Sequence, residues 1–410
     1  MSVSTGGPGG PLRVLVVHNR YRSEQPSGED RVVDQEIALL AGGGHRVGLF
    51  ERRSDDIAAM SLPRRAAVPL RVPWNAAVRR ELAALLRAER PDVVHIHSTF
   101  PLLSPSVVAA CTDVGVPAVA TLHNFQLVCP TGTLFRDGAS CTECVGRAPL
   151  PAVRRGCYRG SALASVPVAL ALSVNRGRWI TGIDRFFCIS DAQRRILVAA
   201  GVPAERLSVK HHFVPQPGVV RAGAGEYVLY VGRLTEEKGL RLLMAAWDRL
   251  AAAGGVGMPL SVVGSGPLAA ELAAWAGGRD DVRVLGLRDA AECARLMADA
   301  AAVVTPSTWS EPFGLVVVEA MAVGAPVVAA DGGAFPELVD DGVTGLLHAS
   351  GDAEALARAI RRVVADPDLN VRFGLAGRLR WERDFSPAAG LARMVAGYRA
   401  AMAAASCEPV

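Results

Sequence analysis

The chain has 410 residues, half of them apolar and only 5% aromatic, with a formal charge of +4. That length predicts two to three domains with ample core, and the composition fits an α/β protein rather than a disordered or nucleic-acid-binding one. No run reaches about 18 uncharged apolar residues, so no membrane-crossing helix is expected. Residues 1–11 form a Gly/Pro/Ser/Thr tail without the apolar core of a secretory signal.

The tail gives way to Leu12-Arg-Val-Leu-Val-Val-His-Asn19, a continuous apolar strand of the kind buried in a parallel sheet. A loop with Pro26-Ser-Gly-Glu-Asp30 then leads into a helix from about Arg31 to Ala41. Strand, Gly-containing loop and helix make a phosphate-approach geometry, although no G-x-G-x-x-G is present. His45–Phe50 reads as a second strand, Asn75–Arg90 as a helix, and Asp92–His97 and Val116–His123 as further strands. His123 stands at the carboxyl end of its strand, the usual ligand edge of such a sheet; His97 has the same placement. Each also reads as a core histidine.

Cys129, Cys141, Cys144 and Cys157 follow within 29 residues, half of the chain's eight cysteines. Cys-x2-Cys bracketed by two further Cys is a zinc-like spacing, so a structural tetrathiolate zinc is the hypothesis; reduced thiols and a disulfide are the alternatives. Residues 52–90 carry nine Arg against four acids, and residues 146–195 nine against two. A basic face in this half would meet an anionic membrane or a diphosphate-linked acceptor, or is simply solvated. The apolar stretch Ala162–Val174 reads as a buried helix or as an interfacial membrane element.

Asp184–Ser190 reads as a strand whose last residue caps the helix Asp191–Ala200, and Leu207–Pro215 as the strand closing the first half. Residues 215–225 are rich in Pro and Gly and read as a linker. The pattern then restarts. A strand ends at Gly232, Arg233 and Lys238 flank a turn, and a helix runs from about Leu240 to Ala253. Leu260–Pro267, with its Gly264 turn, and Val282–Gly286 are further strands. After the strand Ala300–Val304, a loop carries Glu311 into a helix carrying Glu319, with Phe313, Gly314 and Leu315 between them. The amides of Gly314 and Leu315 lie near a helix start, which suits an anion. Two acceptor-only carboxylates beside an anion site suit a nucleotide-sugar. Asp366-Pro-Asp368 reads as a turn rather than a metal motif, and Ala353–Ala365 and Ala388–Ala404 as strong helices.

Glu-x7-Glu within Glu311-Pro-Phe-Gly-Leu-Val-Val-Val-Glu319, preceded by Gly232-Arg-Leu-x-x-x-Lys238-Gly, resembles the signature of the retaining glycosyltransferases of family 4. The resemblance implies the GT-B fold: two doubly wound Rossmann-like α/β domains facing a cleft, with the C-terminal helix crossing back to the first. It implies an acceptor-side domain over 12–214 with a Cys-rich insertion (129–157), a linker (215–225), a nucleotide-sugar domain over 226–385, a crossover helix (386–405) and a tail (406–410). It further implies that Glu311 contacts donor-sugar hydroxyls and Glu319 the ribose. Arg233 and Lys238 grip the diphosphate, where fixed cations stabilise charge in the transition state. A Gly of the first loop, here Gly28, lies near the diphosphate, and His123 near the donor sugar and acceptor. Gly232, Gly264, Phe313, Gly314 and Leu315 complete the expected donor site. The chain departs from the family at His212-Phe213, where Asn-Gly is common.

The expected activity is therefore transfer of a sugar from a UDP- or GDP-sugar to a hydroxyl of a lipid-linked, polysaccharide or small-molecule acceptor. No general base and no catalytic metal are expected, and the expected address is the cytoplasm, with peripheral contact at the inner membrane face left open. A GT-B nucleotide-sugar epimerase and a non-catalytic carbohydrate-binding protein are the alternatives; a nicotinamide dehydrogenase lacks its Gly-rich fingerprint.

Overall fold

The apolar run that opens the chain becomes a central parallel strand. The computed structural model describes residues 10–23 and 28–407, with β1 (Arg13–Arg20) flanked on both sides. On one side lies β2 (Arg46–Arg53); on the other β3 (Val93–Ile96), β4 (Ala118–Leu122) and, beyond a small antiparallel hairpin of β5 (Phe135–Arg136) and β6 (Ala139–Ser140), β7 (Arg185–Cys188) and β8 (Leu207–Val209). The sheet order is β2-β1-β3-β4-β7-β8, every pairing parallel. Both faces of such a sheet are covered, which is why its inner strands carry apolar runs such as Val14–Val17 rather than alternating, while the edge strand β2 is polar at both ends.

The first helix spans Gly28–Gly42, starting earlier than the expected Arg31, and turns Val32, Val33, Glu36 and Leu40 inward. Residues 1–9, 24–27 and 408–410, which hold most of the expected tails and the start of the Pro26–Asp30 loop, lie outside the described residues. The apolar stretch at Ala162 begins a longer helix, Ala162–Gly182, capped by Ser161. It is not a buried helix: only one side is covered, because its partners lie on that side alone.

The second half repeats the plan. Strands β9 (Tyr227–Val231), β10 (Leu260–Val263), β11 (Val282–Gly286), β12 (Ala300–Thr305), β13 (Val327–Asp331) and β14 (Gly345–Ala349) form a parallel sheet ordered β11-β10-β9-β12-β13-β14. Its core gathers Leu243, Trp247 and Leu250 of one helix with Leu356, Ile360 and Val363 of another. The buried indole of Trp247 donates to Asp281 at 2.9 Å, as a buried Trp N–H requires.

The chain divides into two units. One comprises the described parts of Met1–Thr133, Thr142–Lys210 and Leu391–Val410; the other comprises Leu134–Cys141 and His211–Gly390. Thus the β5–β6 hairpin groups with the second unit, although the sequence places it in an insertion of the first. The segment after Lys210 also belongs to the second unit: Val214 N donates to Phe385 O at 3.0 Å and Trp381 Nε1 to Val214 O at 3.2 Å. The last helix, Pro387–Cys407, returns to the first unit, where Met394, Tyr398 and Ala401 complete a core with Val14, Val33 and Phe187.

Candidate functional site

In each sheet the chain order reverses beside the first strand of its half: between β1 and β3 in one, between β9 and β12 in the other. Loops at the carboxyl ends of strands diverge at such a point and leave a crevice for a ligand.

In the second unit the loops after β9, β12 and β13 are stitched together. Thr308 N donates to Glu237 O at 3.0 Å, and Ala334 N to Glu311 O at 2.9 Å. At their meeting point stands Glu311, 7% exposed. Its two carboxylate oxygens accept from Lys238 Nζ at 2.9 and 2.8 Å. Trp309 Nε1 donates to it at 2.9 Å and Ser307 Oγ at 3.2 Å. The Lys238 ammonium also lies over the Trp309 ring, 5.1 Å from its centroid, an attractive placement for a cation. A nearly buried carboxylate is tolerable only with such partners.

Gly314 caps the following helix, Leu315–Val323, with φ 96°, and a Cβ there would stand 2.4 Å from Phe335 Cε1. The helix has no acid in its first turn. Leu315, Val316 and Glu319 are its partly exposed positions, so Glu319 shares a side with the helix start. Arg233, 62% exposed, pairs with Glu237 at 3.1 Å. Gly264 packs on Gly232, since a Cβ at 264 would lie 1.8 Å from Gly232 O. Phe313 is not aimed at solvent: it is 3% exposed among the rings of His211, His212 and Phe385.

In the first unit the corresponding edge is lined by imidazoles. His97 Nδ1 and His123 Nε2 are 2.9 Å apart with stacked rings. His18 Nε2 meets Asp30 at 2.6 Å, and His95 Nε2 meets Thr121 Oγ1 at 2.7 Å. Beneath them Glu36 forms a buried ion pair with Lys210, and its other oxygen stands 3.9 Å from both His95 Nδ1 and His97 Nε2. Burial, reinforced by the nearby Lys210 charge, holds His95, His97 and His123 well below the ordinary histidine range, so all three are neutral at pH 7. Tyr398 on the last helix and His95 Nδ1 are 2.8 Å apart.

A pocket opens above this row. His97, His123, Asn124 and Glu29 form its polar end, and Val72, Phe100, Leu127, Val168, Leu172 and Trp179 its apolar walls. Asn124 Nδ2 donates to Glu29 at 2.8 Å, and burial of the carboxyl pushes Glu29 up to about 7. Gly28 stands immediately before it, at the first helical position. This helix start carries two acids, Glu29 and Asp30, whereas the one at Gly314 carries none; the second is the better anion site.

Glu29, Glu36 and Lys210 were not singled out as site residues from sequence alone, whereas His97 was noted for its place at the end of its strand. Glu36 carried one signal: it interrupts the apolar stripe Val32, Val33, Leu40. The four clustered cysteines are not gathered. Among the described residues the one group of three or more His, Cys, Asp or Glu ligand atoms within 4.8 Å is Glu36, His95 and His97. Cys141 N donates to Leu134 O at 2.7 Å and closes the hairpin, while Cys157 N donates to Ala152 O at 2.9 Å at a helix end.

Residues 26–215 match the family model Glycosyltransferase Family 4, and residues 219–380 match Glycosyl transferases group 1. The chain belongs to glycosyltransferase family 4. Among curated relatives, the amylovoran biosynthesis glycosyltransferase AmsK of Erwinia amylovora is 32% identical over 48% of this chain and 52% of its own. The phosphatidyl-myo-inositol mannosyltransferase of Mycobacterium leprae is 27% identical over 87% of this chain and 89% of its own. The chain spans about half the length of the first curated relatives it matches. Among solved structures, HepE of Anabaena in complex with UDP is 20% identical with a TM-score of 0.66, covering 94% of this chain and 99% of that one. That likeness is one of fold, and the two parallel sheets are the Rossmann-like halves of a GT-B member of the family.

Proposed function

We propose that the protein transfers a hexose from a nucleotide-sugar to an acceptor hydroxyl, with retained anomeric configuration. The observation that carries this reading is the Lys238–Glu311 pair, held by Trp309 and Ser307 at the switch point of the second sheet.

Glu311 is acceptor-only and fixed, so it orients hydroxyls of the donor sugar. Lys238 keeps a third N–H beyond its two bonds to Glu311, and Arg233 is mostly exposed; both neutralise the departing diphosphate. The amides of Gly314 and Leu315 receive phosphate oxygens, and Glu319 receives the ribose hydroxyls. Two cations fill the role that a catalytic metal plays elsewhere, so transfer runs without one. HepE was solved with UDP, which makes a UDP-sugar the first donor to test and a GDP-sugar the second.

The acceptor binds to the first unit. Its pocket joins apolar walls to a polar end formed by Glu29, His97 and His123, which suits an amphipathic acceptor such as a lipid-linked sugar. His123, neutral and held by His97, positions the acceptor hydroxyl. The test is nucleotide release from a panel of UDP- and GDP-sugars with and without acceptor, with the product anomer read by NMR. Release only with acceptor and an unchanged anomer is the expected result; sugar altered without acceptor would instead indicate epimerisation.

A further inference from the structure

We propose that the first unit docks onto an anionic lipid bilayer through the surface of its helix Ala162–Gly182 and the short helices Leu62–Ala66, Val68–Arg71 and Leu150–Arg154.

The helix Ala162–Gly182 has an unusual outer side. Its inner side is covered through Ser165, Val168, Ala169, Ala171 and Asn175. On its outer side Leu163, Val166, Leu170 and Val174 recur at spacings of three and four residues, so they share one stripe. They are exposed by 83%, 44%, 48% and 58%. An apolar stripe this long, turned to water, marks an interaction surface.

The neighbouring helices extend the patch. Asn175 Nδ2 donates to Pro73 O at 2.8 Å, and Arg178 lies over the Trp74 ring at 4.6 Å, so the end of the helix Val68–Arg71 abuts the long helix. On the other side Tyr158 N donates to Ser165 Oγ at 2.9 Å, which ties in the helix Leu150–Arg154. These short helices present Leu62, Leu70 and Leu150, each at least 60% exposed.

Within the segments that form the patch the charge has one sign, although Glu143 from outside them pairs with Arg155 at 3.0 Å. No acid occurs from Ile57 to Arg80 or from Val145 to Ile183. Arg64, Arg65, Arg71, Arg154 and Arg159 are exposed in these segments. Apolar residues flanked by arginines, with no acid, are what an anionic bilayer surface receives: the side chains enter the acyl boundary while the guanidinium groups meet headgroup phosphates. A second copy of the chain fits poorly, since a two-fold contact would set arginines against arginines. Among the described residues no helix is long and apolar enough to cross a membrane, so the contact lies in the interface plane.

The experiment is co-sedimentation of the full chain with vesicles of phosphatidylglycerol and phosphatidylcholine, against phosphatidylcholine alone. The expected result is at least tenfold stronger partitioning onto the anionic vesicles, weakened by added salt. The paired substitutions Leu163→Glu and Leu170→Glu sit on the exposed stripe and should reduce partitioning about tenfold with an unchanged circular dichroism spectrum. Arg64→Glu with Arg65→Glu should do the same by charge alone. No preference for anionic vesicles, or equal partitioning by both variants, overturns the proposal. So does concentration-dependent dimerisation in the ultracentrifuge that Leu163→Glu disperses, because the stripe would then be covered by a second copy.

Discussion

Lys238 Nζ stands 2.8 and 2.9 Å from the two carboxylate oxygens of Glu311, across 73 residues of sequence. The pair joins the loops after β9 and β12, the two strands where the second sheet changes direction. If Lys238 stabilises the leaving diphosphate, Lys238→Ala should lower kcat more than it raises the donor KM. The loss of one fixed cation predicts a fall of roughly 100-fold in kcat. Steady-state kinetics with donor varied reads this split; an unchanged kcat would reject the role.

Glu311→Gln keeps an acceptor for the Trp309 and Ser307 donors and removes the charge. We expect donor transfer to be lost while the melting temperature shifts by only a few degrees. Glu311→Ala leaves Lys238 and the Trp309 indole without their partner and should destabilise by about 2–3 kcal/mol. Thermal melts of the two variants, compared with nucleotide release, separate chemistry from folding.

Tyr398→Phe removes only the hydroxyl that meets His95 Nδ1. A buried hydrogen bond of this kind is worth about 1–2 kcal/mol, so the melting temperature should drop by several degrees. Donor binding, assigned to the second unit, should not change. A thermal shift with and without UDP reads both quantities at once.

Glu29 gives a pH-dependent prediction. Its carboxyl is pushed up to about 7 by burial, from an ordinary value of 4.5. Between those two values the unfolded chain has released the proton and the folded chain has kept it. Stability is therefore present below the lower value and is lost as pH rises through the upper one. Glu29→Gln escapes that loss. It should melt close to the wild type near the lower value and above it at pH 8, by on the order of 1–2 kcal/mol. A variant that tracks the wild type across the whole range would show that Glu29 titrates as an ordinary carboxyl.

The scattered thiols and the paired cations make a joint prediction about metals. Purified protein should carry well under one zinc per chain, and a chelator should leave both the melting temperature and turnover unchanged. Elemental analysis and a chelator titration check this; one firmly held zinc would restore the tetrathiolate expectation.

The strands were legible because a parallel sheet covered on both faces leaves continuous apolar runs, as in Leu12–Val17 and Ala300–Val304. The Glu311 loop was legible because its motif is local. What escaped was non-local or disguised. Glu36 is acceptable in the core only because Lys210, 174 residues away, meets it, and no window of sequence shows both. The short helices Leu62–Ala66 and Val68–Arg71 were not read from sequence; Pro63 and Pro69 occupy their first turns, where a missing N–H costs nothing. Asp366-Pro-Asp368 read as a turn; Asp366 instead caps the helix Pro367–Arg380 by accepting from Leu369 N at 2.9 Å. The cysteine spacing alone could not decide between zinc, thiols and a disulfide, because spacing along a chain does not fix distance across a hairpin.

The return of the final helix makes the N-terminal unit discontinuous in the gene. A fragment cut at Lys210 would lack Met394, Tyr398 and Ala401, leaving a gap beside Val14 and Phe187 and His95 without its phenol. Anyone wishing to study that unit in isolation must therefore supply residues 391–407 in trans, or graft them onto the fragment by circular permutation.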